Sequence, residues 1–420
     1  MVQLNRRPLL ALAPLAALSA CAGPSGDDRV TPSADPGAGH GSDGPDTASS
    51  DGGGAAASDG GGTSASDSGS HADTAQAGSA AEAAADRLST RDLAAQLVLI
   101  GVTAGAGVPT AVLRENPVGG VFFIGIWKEK RTVEDTLAQI RDALGTAVAP
   151  LCAVDQEGGQ IRMLRGDAAR NTPSAEKLGK GGPDTVRTAY MSIGEDLSAR
   201  GFSCALAPVA DVVDPSLANG NAPVGDLDRG FGTDPDQVAA CVDTAVRALD
   251  QQGIAATLKH FPGLGRIEQN TDHSADGIHD TATERGDAFL EPFRVGIDAG
   301  ARLVMLSSAI YPKLDPDSPA MFSPRIVTDV LRGDLGFDGL VITDDIGAAK
   351  AVAHVPVPQR AVRLLEAGGD AVLTADPSLA AELIDAITAW AQQGAEQKER
   401  LRASALRMLR LKEELGLLDG

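Results

Sequence analysis

Between residues 82 and 420 the chain carries eight short apolar runs, each ending in a polar or glycine-rich turn and leading into an amphipathic helical segment. Alternation of this kind requires a parallel sheet covered by helices, because each crossover brings a helix back over the sheet face. The runs place strands at 97–102, 119–124, 151–155, 203–207, 254–259, 303–306, 340–343 and 371–373. Helices are predicted at 132–144, 184–200, 236–252, 285–299, 324–335, 358–367 and 377–393, with a leucine-spaced C-terminal helix within 396–418. Eight such units in roughly 300 residues match the count and length of an α/β fold of the (β/α)8 TIM barrel type. A doubly wound open sheet is disfavoured, since no Gly-x-Gly-x-x-Gly follows the first strand. A single catalytic domain over 82–420 is therefore expected.

The first fifth of the chain obeys different rules. Arg6 and Arg7 precede an apolar run from Leu9 to Leu18 that is far too short to span a bilayer, so residues 1–20 are expected to be a secretion signal. The run closes on Leu18-Ser19-Ala20-Cys21, which resembles the lipobox of bacterial lipoproteins and implies a lipid thioether on Cys21. Residues 22–81 are mostly Gly, Ser, Ala, Asp, Pro and Thr, with no Phe, Tyr or Trp, only Arg29 as a strong base and Val30 as the only large aliphatic, too polar to offset the cost of ordering. As a disordered N-terminal tether over 21–81, this linker would reach on the order of 40 to 45 Å. The expected location is extracytoplasmic, with the membrane as a partner through the lipid anchor.

A net charge of −21 argues against nucleic acid as a partner and against electrostatic docking on a membrane, since both require a basic face. Cys152, Cys204 and Cys241 lie inside apolar segments without metal-site or disulfide spacing, and are expected to be small core residues. No protein partner is inferable.

In a barrel, chemistry comes from the C-terminal ends of strands. The third strand ends in Asp155-Gln156-Glu157-Gly158-Gly159 and the fourth runs through Ala207-Pro208-Val209-Ala210-Asp211. The fifth ends in Lys259-His260, the sixth in Ser307-Ser308 and the seventh in Thr343-Asp344-Asp345. Lys is almost never buried without a partner, so a Lys-His pair closing an apolar strand marks a site. Carboxylates, a lysine and a histidine converging on one rim suit a neutral, polyhydroxylated ligand, whose hydroxyls both donate and accept.

From about Leu88 to Leu417 these residues resemble the barrel domain of the family 3 glycoside hydrolases, in the branch of single-domain β-N-acetylglucosaminidases. Five motifs match in order. They are Asp155-Gln-Glu-Gly-Gly, Leu206-Ala-Pro-Val-Ala-Asp211, Arg229-Gly-Phe-Gly-Thr-Asp234, Lys259-His-Phe-Pro-Gly-x-Gly265 and Val341-Ile-Thr-Asp-Asp345. The resemblance implies retaining hydrolysis in which Asp344 attacks the anomeric carbon, and it implies no metal or organic cofactor. Chemistry agrees, since retention needs a carboxylate nucleophile and a second group that carries a proton. Asp155, Arg229, Lys259 and His260 would bind the glycone. Asp345, on the opposite side of an extended strand, would hold the loop.

The sequence departs from that family most in the loop after the fifth strand. The family carries an Asp-Ser-His proton-donor set there; this chain has Asn270-Thr271-Asp272, with His273 one position late. As the acid, Asp272 must hold a proton near neutrality, which requires burial or a neighbouring anion to lift it above the usual ~3.9. His273, with an ordinary value near 6.5, is the alternative, and loss of the donor is a third. Gly230 replaces a serine, Met163 an arginine flanked here by Arg162 and Arg165, and Ala348 a methionine. The expected function is a retaining exo-β-glycosidase, a β-N-acetylhexosaminidase acting on cell-wall-derived glycans. The alternative is a degenerate barrel that binds glycan as a sensor or scaffold; phosphorolysis is a lesser one, since an anionic Asp272 would repel phosphate.

Overall fold

A computed structural model of the chain describes residues 79–145, 148–217 and 220–418. The expected signal segment, Cys21 and all but the last three residues of the expected tether lie outside the described residues.

Eight parallel strands close a barrel in sequence order. They are β1 Val98–Thr103, β2 Gly120–Ile124, β3 Leu151–Val154, β4 Cys204–Ala205, β5 Ala255–Phe261, β6 Leu303–Leu306, β7 Leu340–Asp345 and β8 Ala371–Thr374. Closure is visible at Leu99 of β1, which pairs with Gly120 of β2 on one side and Leu373 of β8 on the other. Barrel strands are buried on both faces, one by side chains filling the interior and the other by helices, so they read as continuous apolar runs. Leu151–Val154, Leu303–Leu306 and Ala371–Thr374 are buried at every position.

Each strand leads into a covering helix: Thr110–Glu115, Lys130–Leu144, Pro183–Arg200, Pro235–Asp250, Glu291–Asp298, Arg325–Asp334, Val357–Ala367 and Ala380–Ala391, with the shorter Ala175–Gly181 preceding the third of them. Local chemistry sets their ends. Asp234 accepts a hydrogen bond from the Gln237 backbone N–H at 3.0 Å, satisfying a donor the helix cannot. The Pro183–Arg200 and Val357–Ala367 helices stop at Gly201 and Gly368, at φ of 86° and 103°, where a side chain would be strained.

Three expectations shift. The fourth strand is only Cys204–Ala205; its hydrogen bonds continue through Leu206 N–H to Val154 O at 3.0 Å and Thr257 N–H to Ala207 O at 2.9 Å, Pro208 has no N–H to carry them further, and a bridge returns at Val209–Lys259. The helix expected from 285 begins at Glu291, since Arg285 is drawn to Asp334 and Asp287 caps a preceding single turn through the Phe289 N–H. Two short helices before the barrel, Ala80–Arg87 and Thr90–Gln96, were not expected, and the first begins inside the expected tether. Glu413 of the C-terminal helix Ala395–Glu414 accepts from the N–H groups of Ala80 and Ala81 at 2.9 and 3.3 Å, fixing that start. Cys152, Cys204 and Cys241 are free and buried. No helix among the described residues is long and apolar enough to cross a membrane.

Candidate active site

The C-terminal rim of the barrel gathers the charged strand ends into one network. Lys259, 1 % exposed at the end of β5, donates to Asp155 Oδ1 and reaches Glu157 Oε1, both at 2.6 Å. Glu157 in turn accepts a two-point contact from Arg229, at 2.9 Å from Nε and 2.8 Å from Nη2. A planar guanidinium matched to a carboxylate in this way is held in orientation as well as position. Burial alone would raise the Glu157 carboxyl, but Arg229 and Lys259 outweigh it and hold it at about 2. Burial works against the charge of Lys259 as well, yet Asp155 and Glu157 keep its ammonium above the ordinary lysine range.

His260 belongs to the same network. Its Nδ1 lies 2.8 Å from Asp211 Oδ2, and its backbone N–H donates to Asp211 Oδ1 at 2.9 Å. The other ring nitrogen, Nε2, is 3.4 Å from Arg229 Nη2. A register shift between Lys259 and Phe261 in the pairing of β5 with β6 re-aims the strand here, as a bulge does. All four expected glycone residues, Asp155, Arg229, Lys259 and His260, thus lie in one network, with Glu157 bridging Lys259 and Arg229 and Asp211 fixing His260. Those two carboxylates stand inside quoted motifs but were not singled out from sequence. Each is an acid at a strand end, Glu157 meeting two cations and Asp211 an imidazole from other strands.

Asp344 and Asp345 close β7. Asp344 Oδ1 accepts from the Asp345 N–H at 2.8 Å. Asp345 Oδ1 accepts from the Gly347 and Ala375 N–H groups at 2.8 and 3.1 Å, which is the loop-holding role expected of it. The Asp344 carboxyl is half-buried at the rim.

The loop after β5 is fastened at several points before it reaches these acids. A Cβ at position 265 would lie 1.6 Å from the Val212 carbonyl oxygen, so only glycine permits the close approach in which Asp214 N–H donates to Gly265 O at 2.9 Å. Asn221 Nδ2 donates to Leu264 O and Ile267 O, both at 2.7 Å. Arg266 donates to Asp287 at 2.6 Å and Thr283 at 2.8 Å while its guanidinium stands 3.6 Å from the Phe289 ring centre. Farther on, Thr271 is buried, and its carbonyl accepts from the Ala351 N–H at 3.1 Å, tying the loop to the segment after β7.

This path brings Asp272 within the electrostatic reach of the β7 carboxylates. Burial, then the charges of Asp344 and Asp345, push the Asp272 carboxyl up to about 7, with Arg229 opposing. His273, the alternative acid, is exposed, and its N–H donates to the Asn270 carbonyl at 3.0 Å. At Gly230 a Cβ would meet Val213 Cγ2 at 2.9 Å and Val224 Cγ1 at 3.3 Å, so valine methyls occupy the space that a serine would need. Met163 packs on the core and donates its N–H to Asp155 O at 3.0 Å; Ala348 is exposed. Among the described residues no group of three His, Cys, Asp or Glu side chains is placed to hold a metal ion. The arrangement offers one acid able to carry a proton near neutrality, a second carboxyl beside it, and a saturated polar cradle next to both.

Comparison with known proteins agrees with this geometry. The Glycosyl hydrolase family 3 N terminal domain model matches residues 89–411. A β-hexosaminidase of Stenotrophomonas maltophilia (strain K279a) is 38 % identical over 288 residues, 66 % of this chain and 81 % of the relative. The crystal structure of a β-N-acetylhexosaminidase from Beutenbergia cavernae superposes with a TM-score of 0.73 at 39 % identity, covering 77 % of this chain and 98 % of that one. A family 3 β-N-acetylglucosaminidase from Paenibacillus sp. gives a TM-score of 0.70 at 28 % identity, covering 79 % and 64 %.

Proposed function

The chain belongs to glycosyl hydrolase family 3 and is a glycoside hydrolase, and from that premise we propose that it is a retaining exo-β-N-acetylhexosaminidase that releases terminal N-acetylglucosamine from cell-wall-derived glycans. The observation that carries the mechanism is the tying of the Asp272 loop to the segment after β7, through Ala351 N–H and Thr271 O, which places Asp272 within the field of Asp344. A retaining enzyme needs two carboxyl groups in different protonation states, one to attack and one to protonate the departing oxygen. Burial and the β7 carboxylates hold Asp272 protonated up to about pH 7, which fits the second part.

In the proposed reaction Asp344 attacks the anomeric carbon as Asp272 gives its proton to the glycosidic oxygen. A covalent glycosyl-Asp344 ester results. Asp272, now a carboxylate, takes a proton from water, which attacks the same carbon and frees the sugar with its original configuration. Asp155, Arg229, Lys259 and His260 would bind the sugar hydroxyls, and Glu157 holds the two cations and Asp211 the imidazole in place. The names of the relatives in the comparison support the N-acetylhexosamine assignment.

We also place the protein outside the cytoplasm, anchored through lipid on Cys21. The test of the activity is nitrophenol release from a panel of nitrophenyl β-glycosides. Turnover greatest on the β-N-acetylglucosaminide is expected; saturable glycan binding with no turnover on the whole panel would overturn the proposal in favour of a glycan-binding barrel.

A further inference from the structure

The loop that carries Asp272 turns on a single residue. Asn270 is half-buried, and its side-chain Oδ1 accepts from the Asp272 backbone N–H at 2.8 Å. Its own carbonyl accepts from the N–H groups of His273 and Ser274 at 3.0 and 2.9 Å. Three successive donors thus converge on one asparagine, while the neighbouring Thr271 is fixed to Ala351 on the other side. An asparagine bridging to the backbone two residues on is a rigid local turn.

The charges around that turn explain why an amide suits the position. Asp344 and Asp345 at the end of β7 and Asp155 at the end of β3 all act on the Asp272 carboxyl, with Arg229 as the opposing cation. A carboxylate at 270 could accept the same hydrogen bond, but it would add another negative charge to the set. The amide oxygen fixes the backbone without that addition.

We propose that Asn270 is the positioning residue of the acid: its amide oxygen holds the Asp272 backbone so that the Asp272 carboxyl faces the bond Asp344 attacks. This inference rests on the acid assignment made above. Asn270 touches no reacting atom and acts only through Asp272. Because geometry governs proton transfer, loosening the turn removes part of the acid's contribution and leaves sugar binding and the nucleophile alone.

Leaving-group dependence separates this role from general damage. A dinitrophenolate departs without a proton, whereas methoxide needs one. The experiment measures kcat/KM on the 2,4-dinitrophenyl and methyl β-N-acetylglucosaminides for wild type and for Asn270→Ala, Asn270→Ser, Asn270→Asp and Asp272→Asn, with thermal melting as a fold control. General acid catalysis is worth roughly 10² to 10⁴-fold. Asn270→Ala is expected to slow the methyl glycoside about 10- to 100-fold and the dinitrophenyl glycoside no more than about threefold. Asn270→Ser, whose hydroxyl can accept the same bond, restores most of the loss. Asn270→Asp keeps the bond and moves the alkaline limb of kcat/KM to higher pH. If Asp272→Asn shows no leaving-group dependence, the acid assignment itself falls. If Asp272→Asn shows it while Asn270→Ala matches wild type, or loses both substrates equally without rescue by serine, the positioning role is overturned and the acid assignment stands. Should Asn270→Ala fail to fold, Asn270→Gly, which also lacks the accepting oxygen, takes its place, and wild-type rates on both substrates would overturn the positioning role.

Discussion

At the scale of single residues, the site is a set of charges that are tolerated only because each has a partner. Asp344→Asn is expected to lower kcat by on the order of 10⁴-fold or more, measured on the nitrophenyl N-acetylglucosaminide, because it removes a group that forms the intermediate. The pH profile follows from Asp272. Its carboxyl must be protonated to act, so kcat/KM should fall as pH rises through about 7; a profile flat to pH 9 would contradict its role. Glu157→Gln leaves Lys259 and Arg229 buried beside a neutral amide. Breaking a buried pair costs about 3 to 5 kcal/mol, and chemical denaturation should give the lower end because Asp155 still faces Lys259. The Glu157 carboxyl is depressed to about 2 in the folded state, so its stabilisation is present above the unfolded value near 4.3 and is lost as pH falls toward 2. Much of this was legible in sequence, since Asp155, Lys259, His260 and Asp344 each end an apolar run. What was not legible is pairing. Nothing local at Glu157 or Asp211 says that one meets two cations and the other a histidine, because those contacts join distant strands.

At the scale of elements, the loop after β5 decides the chemistry. Gly265→Ala would drive a methyl into the Val212 carbonyl, displacing the segment that leads to Asp272. Its expected signature is a loss of about 10-fold or more in kcat/KM on the methyl glycoside, with the melting temperature reporting any cost to the fold. The eight strands and most helices were readable because barrel strands form short apolar runs and several helices carry a capping residue or a terminal glycine. The loop was readable only as Asn270, Thr271 and Asp272 standing where the resembling family has other residues, leaving Asp272 and His273 both open. Burial distinguishes them: Asp272 is partly buried and feels the charges of the β7 acids, whereas His273 is exposed. The helices Ala80–Arg87 and Thr90–Gln96 escaped notice because they precede the repeat. Ser89 and Asp92 nonetheless form a reciprocal cap that their three-residue spacing announces.

At the scale of the whole molecule, the face of the barrel opposite the site carries its own buried charges. Asp370, fully buried, gathers Arg332 at 2.6 Å, Arg407 at 3.2 Å and Arg400 at 3.4 Å. Lys412 is also fully buried, with its Nζ 2.7 Å from Gln96 Oε1, and burial pushes its ammonium down to about 7. Its unfolded value lies near 10.4, so between pH 7 and 10.4 the unfolded chain binds more protons and this group makes stability rise with pH, by up to about 1.4 kcal/mol per unit. Lys412→Met should therefore be more stable than wild type at pH 7, with the difference shrinking by pH 10; denaturant melts at the two values check it. Before the barrel, Cys21→Ala is expected to release the protein from membranes in fractionation and abolish labelling by a fatty-acid probe. The central claim, that this family 3 hydrolase works through a glycosyl ester on Asp344, is tested most directly by trapping. The protein is incubated with 5-fluoro-N-acetylglucosaminyl fluoride, digested, and the peptides weighed. A sugar adduct on the peptide from β7, assigned to Asp344, is expected; no adduct, or one on any other residue, would contradict it.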